Sequence, residues 1–247
     1  MSHIDSFGLV SEIIPERPET WQGRNFLTFD VDWASDEVLT FCIDMVEQSG
    51  VSATWFITHD TPVLDRLRRN ERFEVGLHPN FNNLLNSIAR GQLAEENADA
   101  EKVLGRTQGL AANATSVRSH SLFQSSRLLD MFEAVSLTHD CNLYIPWKSV
   151  PSLKPWYHWN RIVRVPHCWE DDIWVIDGAC SDFTGWRDVT LKVLDFHPIH
   201  IALNTQKFSD YEDSRPIHQN WNELRKVARS GFGVRSVLEQ FLEKGTL

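Results

Sequence analysis

Positive charge is scarce in this chain: 24 Lys and Arg stand against 34 Asp and Glu among 247 residues, a formal net charge of −10. That balance disfavours a nucleic-acid backbone or an anionic membrane as the main partner. No apolar run is long enough to span a bilayer. The start, Met1-Ser2-His3-Ile4-Asp5-Ser6, lacks the basic and apolar stretches of a secretory signal. The expectation is a cytoplasmic protein with no membrane span and no nucleic-acid partner. Cysteine is sparse and scattered, at Cys42, Cys141, Cys168 and Cys180. Without a C-x-x-C pair neither a zinc knuckle nor a redox motif is suggested, and four buried thiols are expected. Repeats, low-complexity tracts and Gly/Ser linkers are also missing, so the chain reads as one domain. Oligomeric state leaves no mark in the sequence.

Tryptophan, with 10 residues, is plentiful. Exposed indoles suit the apolar C–H faces of sugars, but Trp fills cores as well, so the count alone decides nothing. The clearest local unit is Asn25-Phe26-Leu27-Thr28-Phe29-Asp30-Val31-Asp32, an apolar run that reads as a buried strand. Ser35 follows as an N-cap, Asp36 and Glu37 suit the positive end of a helix dipole, and apolar residues recur at helical spacing to a stop at Gly50. A second strand covers residues 53–58, completing a βαβ unit. The alternation predicts a strand over 73–78, one or two helices over 83–104, a short strand over 115–118 and a helix over 125–135. Residues 137–182 are irregular, with strand-like pieces at 161–165 and 173–176. A helix near 185–194 leads into Leu194-Asp195-Phe196-His197, and two amphipathic helices, around 221–228 and 234–242, close the chain. So many βα units imply a parallel α/β barrel or an open sheet, with the chemistry at the carboxyl ends of the strands. The expected layout is an N-terminal extension (1–24), a core (25–205) and C-terminal helices (206–247).

Four strand ends carry residues of one chemical character. Asp30 and Asp32 share a face if the strand runs through both, and two buried carboxylates side by side need a cation or a proton. A metal would bind one and leave the other free as a base; the plainer alternative is a helix cap beside a solvated acid. His78, where the next strand stops, is a good ligand for a borderline metal. Asn82 either turns back onto the same site through its amide oxygen or shapes a turn. Arg118, at a third strand end, would neutralise and orient the free carboxylate by a bidentate contact. His120 is either a further ligand or a wall residue. At the fourth end, His197 suits a general acid, with His200 as a packing residue.

Thr28-Phe29-Asp30-Val31-Asp32, His78 with Asn82 four residues on, Arg118 and His197 resemble, in chain order, the T-F-D-D, H-[ST]-x-x-H, R-x-P-[YF] and L-x-H motifs of NodB-like polysaccharide deacetylases. The resemblance spans roughly residues 25–200, and the O-antigen-locus (WbmS-like) branch looks nearest. It implies an α/β fold, a distorted (β/α) barrel of about seven parallel strands in a single domain. It further implies Asp30 as general base, Asp32 and His78 as metal ligands, Arg118 orienting Asp30, and His197 protonating the leaving amine. Asp177 or Asp182 would stand for the family's late Asp. The chain departs from the pattern in three places. Val31 separates the two Asp residues, Asn82 replaces the second His, and Ser119-His120 replaces the segment with Pro. His120 offers a substitute imidazole from another strand.

The activity so implied is metal-dependent hydrolysis of an amide C–N bond, with one divalent ion, zinc first. The substrate would be an N-acylated amino sugar in surface-polysaccharide (O-antigen) biosynthesis. Two other readings share the residues: an allantoinase-like hydrolase of a small cyclic amide, and a carbohydrate-binding pseudoenzyme that has lost its metal, which Asn82 favours.

Overall fold

The computed structural model describes residues 6–84, 93–150 and 152–247, with the backbone alone for 93–99. Its strands are β1 (Phe7–Gly8), β2 (Asn25–Asp30), β3 (Ala53–Ile57), β4 (Phe73–Leu77), β5 (Ser116–Val117), β6 (His139–Asp140), β7 (Trp156–Tyr157), β8 (Val163–Arg164), β9 (Trp169–Glu170) and β10 (Lys192–Phe196). Its helices are α1 (Asp36–Ser49), α2 (Leu64–Arg69), α3 (Leu93–Leu110), α4 (Ser126–Ala134), α5 (Asp171–Ile176), α6 (Pro198–Leu203), α7 (Phe208–Ser214), α8 (Trp221–Val227) and α9 (Val234–Lys244). Among the described residues no helix is long and apolar enough to cross a membrane.

The strands pair in the order β7-β8-β6-β5-β4-β3-β2-β10-β9, with β1 beside β2, and every ladder but β7–β8 is parallel. The path curls back on itself through the segment 163–170. Val163 and Val165 N–H donate to Thr138 and Asp140 carbonyls at one end, His167 N–H to Leu143, and Cys168 N–H to Val193 at the other. This one extended segment therefore links β6 to β10 and makes the sheet a distorted (β/α) barrel. The distortion has a visible cause: β2, β3, β4 and β10 hold five or six residues, whereas β5, β6, β8 and β9 hold two each.

Local physics sets the first unit. Ser35 Oγ accepts from Val38 N–H at 3.4 Å and Gly50 closes α1 at φ 70°. All six residues of β2 are buried, as a central parallel strand requires. Alternation then divides its faces. Leu27 and Phe29 turn outward into the main hydrophobic core, where Phe29 stacks on Trp55 at 4.0 Å. Thr28 and Asp30 turn inward, in register with Asp195 of β10 and with Thr54 and Phe56 of β3. Inside the ring space is short: a Cβ on Gly76 would lie 2.6 Å from Phe56 Cδ1 and Ser116 Oγ.

The expected helix over 83–104 is α3 in its described part; residues 85–92 lie outside the described residues. Two expectations are corrected. Residues 173–176 are helical, in α5, because Asp171 and Asp172 start a helix there. Residues 185–194 are not a helix: a single turn at Trp186–Asp188 gives way to β10 at Lys192, whose apolar residues are claimed by β2. Cys180 is exposed, so three of the four thiols are buried.

Candidate active site at the carboxyl ends of the strands

Each strand end continues its ladder for one residue, which fixes where the polar side chains emerge. Val31 N–H donates to Phe56, His78 N–H to Ile57 at 2.8 Å, and Arg118 N–H to Leu77 at 3.0 Å. Asp32 does not arrive by strand alternation. The strand ends at Asp30, and Asp32 and Trp33 both take left-handed backbone conformations, φ 44° and 54°. Two consecutive non-glycine residues in that region are strained, and such strain clusters at ligand sites. The turn carries the Asp32 carboxylate over the barrel mouth. His78 Nε2 lies 3.1 Å from Asp32 Oδ1, His120 Nδ1 lies 2.8 Å from it, and the two imidazole nitrogens are 3.4 Å apart.

These three residues form one of the groups among the described residues that could hold a metal ion. Tetrahedral ligands on a bond of 2.0–2.1 Å stand about 3.3 Å from one another, close to the spacings found. The donor set, two imidazoles and a carboxylate, suits zinc or another borderline divalent ion. Burial pushes the Asp32 carboxyl up, but hydrogen bonds from His120 and His78 outweigh it and hold the group well below the usual carboxylate range. An ionised carboxylate is the form a metal needs. Asn82 donates its amide to Ser121 Oγ at 3.1 Å.

Below the trio, Asp30 meets two partners. His78 Nδ1 is 3.5 Å from Asp30 Oδ2, and Arg118 Nη1 donates to Asp30 Oδ1 at 2.9 Å. The same Nη1 also donates to Asp195, so the contact is one nitrogen bridging two carboxylates rather than the expected bidentate fork. Burial works against the Arg118 charge, and Asp195 and Asp30 more than compensate, raising its pKa. For Asp195, burial dominates over Arg118 and lifts its carboxyl well above the ordinary range. Phe56 lies under Arg118, its ring centroid 4.6 Å from the guanidinium carbon.

On the far side, His197 is clamped by Asp171. The imidazole Nδ1–H and the backbone N–H of His197 donate to the two oxygens of one carboxylate, each at 2.7 Å. That fixes the tautomer and points Nε2 toward the site, 4.0 Å from Asp32 Oδ2. Burial alone would strip the His197 proton, but Asp171 and Asp172 hold its pKa well above that of free imidazole. His200 is buried on the next turn, bonded to Asp172 Oδ1 at 2.5 Å. Burial raises Asp172, yet the His197 charge and the His200 bond bring it down to about 2.

Asp30, Asp32, His78, Arg118, His120 and His197 therefore meet at one mouth. Asp177 and Asp182 do not; they line a separate aromatic cleft with Tyr144 and Trp147. The carboxylate beside His197 is Asp171, which sequence reasoning missed together with Asp172 and Asp195. One signal was present: Asp195 interrupts an apolar strand two residues before His197.

Fold and site together define a parallel α/β barrel with its carboxylates and imidazoles gathered where the strands end. The model of the WbmS-like polysaccharide deacetylases matches residues 27–215. A crystal structure of a polysaccharide deacetylase involved in O-antigen biosynthesis from Bordetella bronchiseptica is 42% identical. The match covers 98% of this chain and 99% of that one, with a TM-score of 0.88. No curated protein matches the chain. The chain belongs to the WbmS-like polysaccharide deacetylase family.

Proposed function

We propose that the chain removes the acyl group from an N-acylated amino sugar, by metal-dependent hydrolysis, in the building of a surface polysaccharide such as O-antigen. The observation that carries this reading is the meeting of Asp32 Oδ1, His78 Nε2 and His120 Nδ1 within 3.4 Å of one another, between Asp30 and His197. The role given to the related Bordetella protein supports the pathway. Asp32, His78 and His120 would hold the ion. When bound, a divalent ion there supplies Lewis acidity, activating water and polarising the amide carbonyl.

The remaining chemistry belongs to the chain. Asp30, oriented by Arg118, takes the proton of the attacking water. His197, whose protonated form Asp171 and Asp172 favour, gives the Nε2 proton to the departing nitrogen, so the products are a free amine and a short carboxylate. The fixed Nδ1–H···Asp171 bond ensures that Nε2 is the donating atom.

Replacing Asp30 tests the assignment. Asp30→Asn should lower acetate release from N-acetylated amino sugars by at least about a hundredfold, with an unchanged melting temperature and full metal content. Loss of metal instead would exchange the roles of Asp30 and Asp32, and full activity would remove Asp30 from the mechanism.

A further inference from the structure

Beside His197 opens a small cavity of about 110 Å³. Asp32 and His197 form its floor, and Trp33, Asp172, Tyr211 and Gln219 are among its walls. Pockets that enclose a whole drug-sized ligand measure about 300–1,000 Å³. This one has room for an edge of a single ring. Its chemistry suits hydroxyl groups better than an acyl methyl: a carboxylate that accepts, with a phenol and an amide that both accept and donate.

Two features show that these walls are built. His200 is buried, with Nδ1 on Thr205 Oγ1 at 3.0 Å and Nε2 on Asp172 Oδ1, and its ring packs 4.9 Å from Tyr211. It thus mounts a carboxylate that remains 37% exposed, whereas an aspartate that merely faces solvent needs no such support. On the opposite wall, Trp33 is 41% exposed on its strained turn. Gln219 Nε2 donates to the Trp33 carbonyl at 2.9 Å, and His120 meets the indole edge to face at 5.1 Å. The indole is therefore held at the mouth.

We propose that this cavity is the subsite for the hydroxylated edge of the one sugar ring that bears the amide, with Asp172 accepting from a ring hydroxyl. Trp33 covers a C–H face of the same ring. His200 is a positioning residue that fixes Asp172. The inference rests on the amino-sugar reading and narrows it to the contacts of one ring.

The test compares N-acetylglucosamine and its monodeoxy analogues on the wild-type protein, Asp172→Asn and Tyr211→Phe, with melting curves to exclude misfolding. Kinetics and calorimetric binding are read separately. Asp172→Asn should raise KM about tenfold or more, the loss expected for a hydrogen bond to a charged group, beside any fall in kcat that follows from losing its charge near His197. One deoxy sugar should cost the wild type the same factor and cost Asp172→Asn nothing further. A fall in kcat at constant KM, or equal losses on every analogue in both variants, overturns the subsite and assigns Asp172 to the support of His197. Binding that depends on Asp172 without turnover would sink the hydrolase reading and keep the subsite. Turnover indifferent to Asp172 would sink the subsite alone, and absence of both would sink both.

Discussion

The two ends of the barrel interior are both polar, but only one is closed upon itself. At the amino-terminal end of the strands, Glu74 accepts from Ser11 N–H and Thr54 Oγ1 at 3.0 Å each, and from Ser116 Oγ at 2.6 Å. Thr54 Oγ1 in turn accepts from Val10 N–H. At the carboxyl end, buried His78 Nδ1, Arg118 Nη2 and Ser119 Oγ have no hydrogen-bond partner among the described residues. Polar groups that are buried and paired maintain a fold; groups left without a partner keep the capacity for a further contact. The difference between the ends separates the structural network from the chemical one on physical grounds alone.

Variants at the two ends should respond differently. The largest effect is expected from Arg118→Met, which leaves Asp30 and Asp195 buried without their shared cation. Denaturant unfolding should show a loss of about 3–5 kcal/mol, and activity should vanish. A loss below about 1 kcal/mol would mean that water already compensates those carboxylates. Glu74→Ala comes next. It strands two hydroxyls and an amide, so unfolding should register about 1–3 kcal/mol while metal content and turnover stay at wild-type levels. If turnover fell with stability intact, the contrast between the ends would be lost.

The smallest effect concerns pH. Asp171 raises the His197 pKa, so the acid form and the activity are lost only as pH rises through that raised value. Asp171→Asn removes a negative charge that favours imidazolium, so the alkaline limb of the pH–rate profile should move to lower pH. An unmoved limb would show that another group sets it.

How much of this was legible in the sequence depended on whether local forces decided. The β2–α1–β3 unit could be read because its cap, its stop and its apolar runs all act within a few residues. Asp30, His78 and His197 could be read because each closes a strand of five or six residues, and Arg118 because it falls in order among the motifs of the resemblance. Asp32 reaches the site through a left-handed turn, whose strain leaves no compositional trace. His120 stands on a short turn after β5, beside Ser121 and Leu122, which are also left-handed. Asp171 was hidden because the strand before it is two residues long and owes its existence to distant partners in β10. No periodicity can be read from two residues. The expected helix before β10 failed for the same reason, since pairing with β2 overrode the local preference.

The account stands or falls on one measurement: the metal content of protein purified without chelator, for the wild type, His78→Ala, His120→Ala and Asp30→Asn. One divalent ion per chain is expected in the wild type and in Asp30→Asn, and far less in either histidine variant. Full occupancy after loss of His78 or His120, or a wild-type chain that takes up no ion when zinc is supplied, would contradict it.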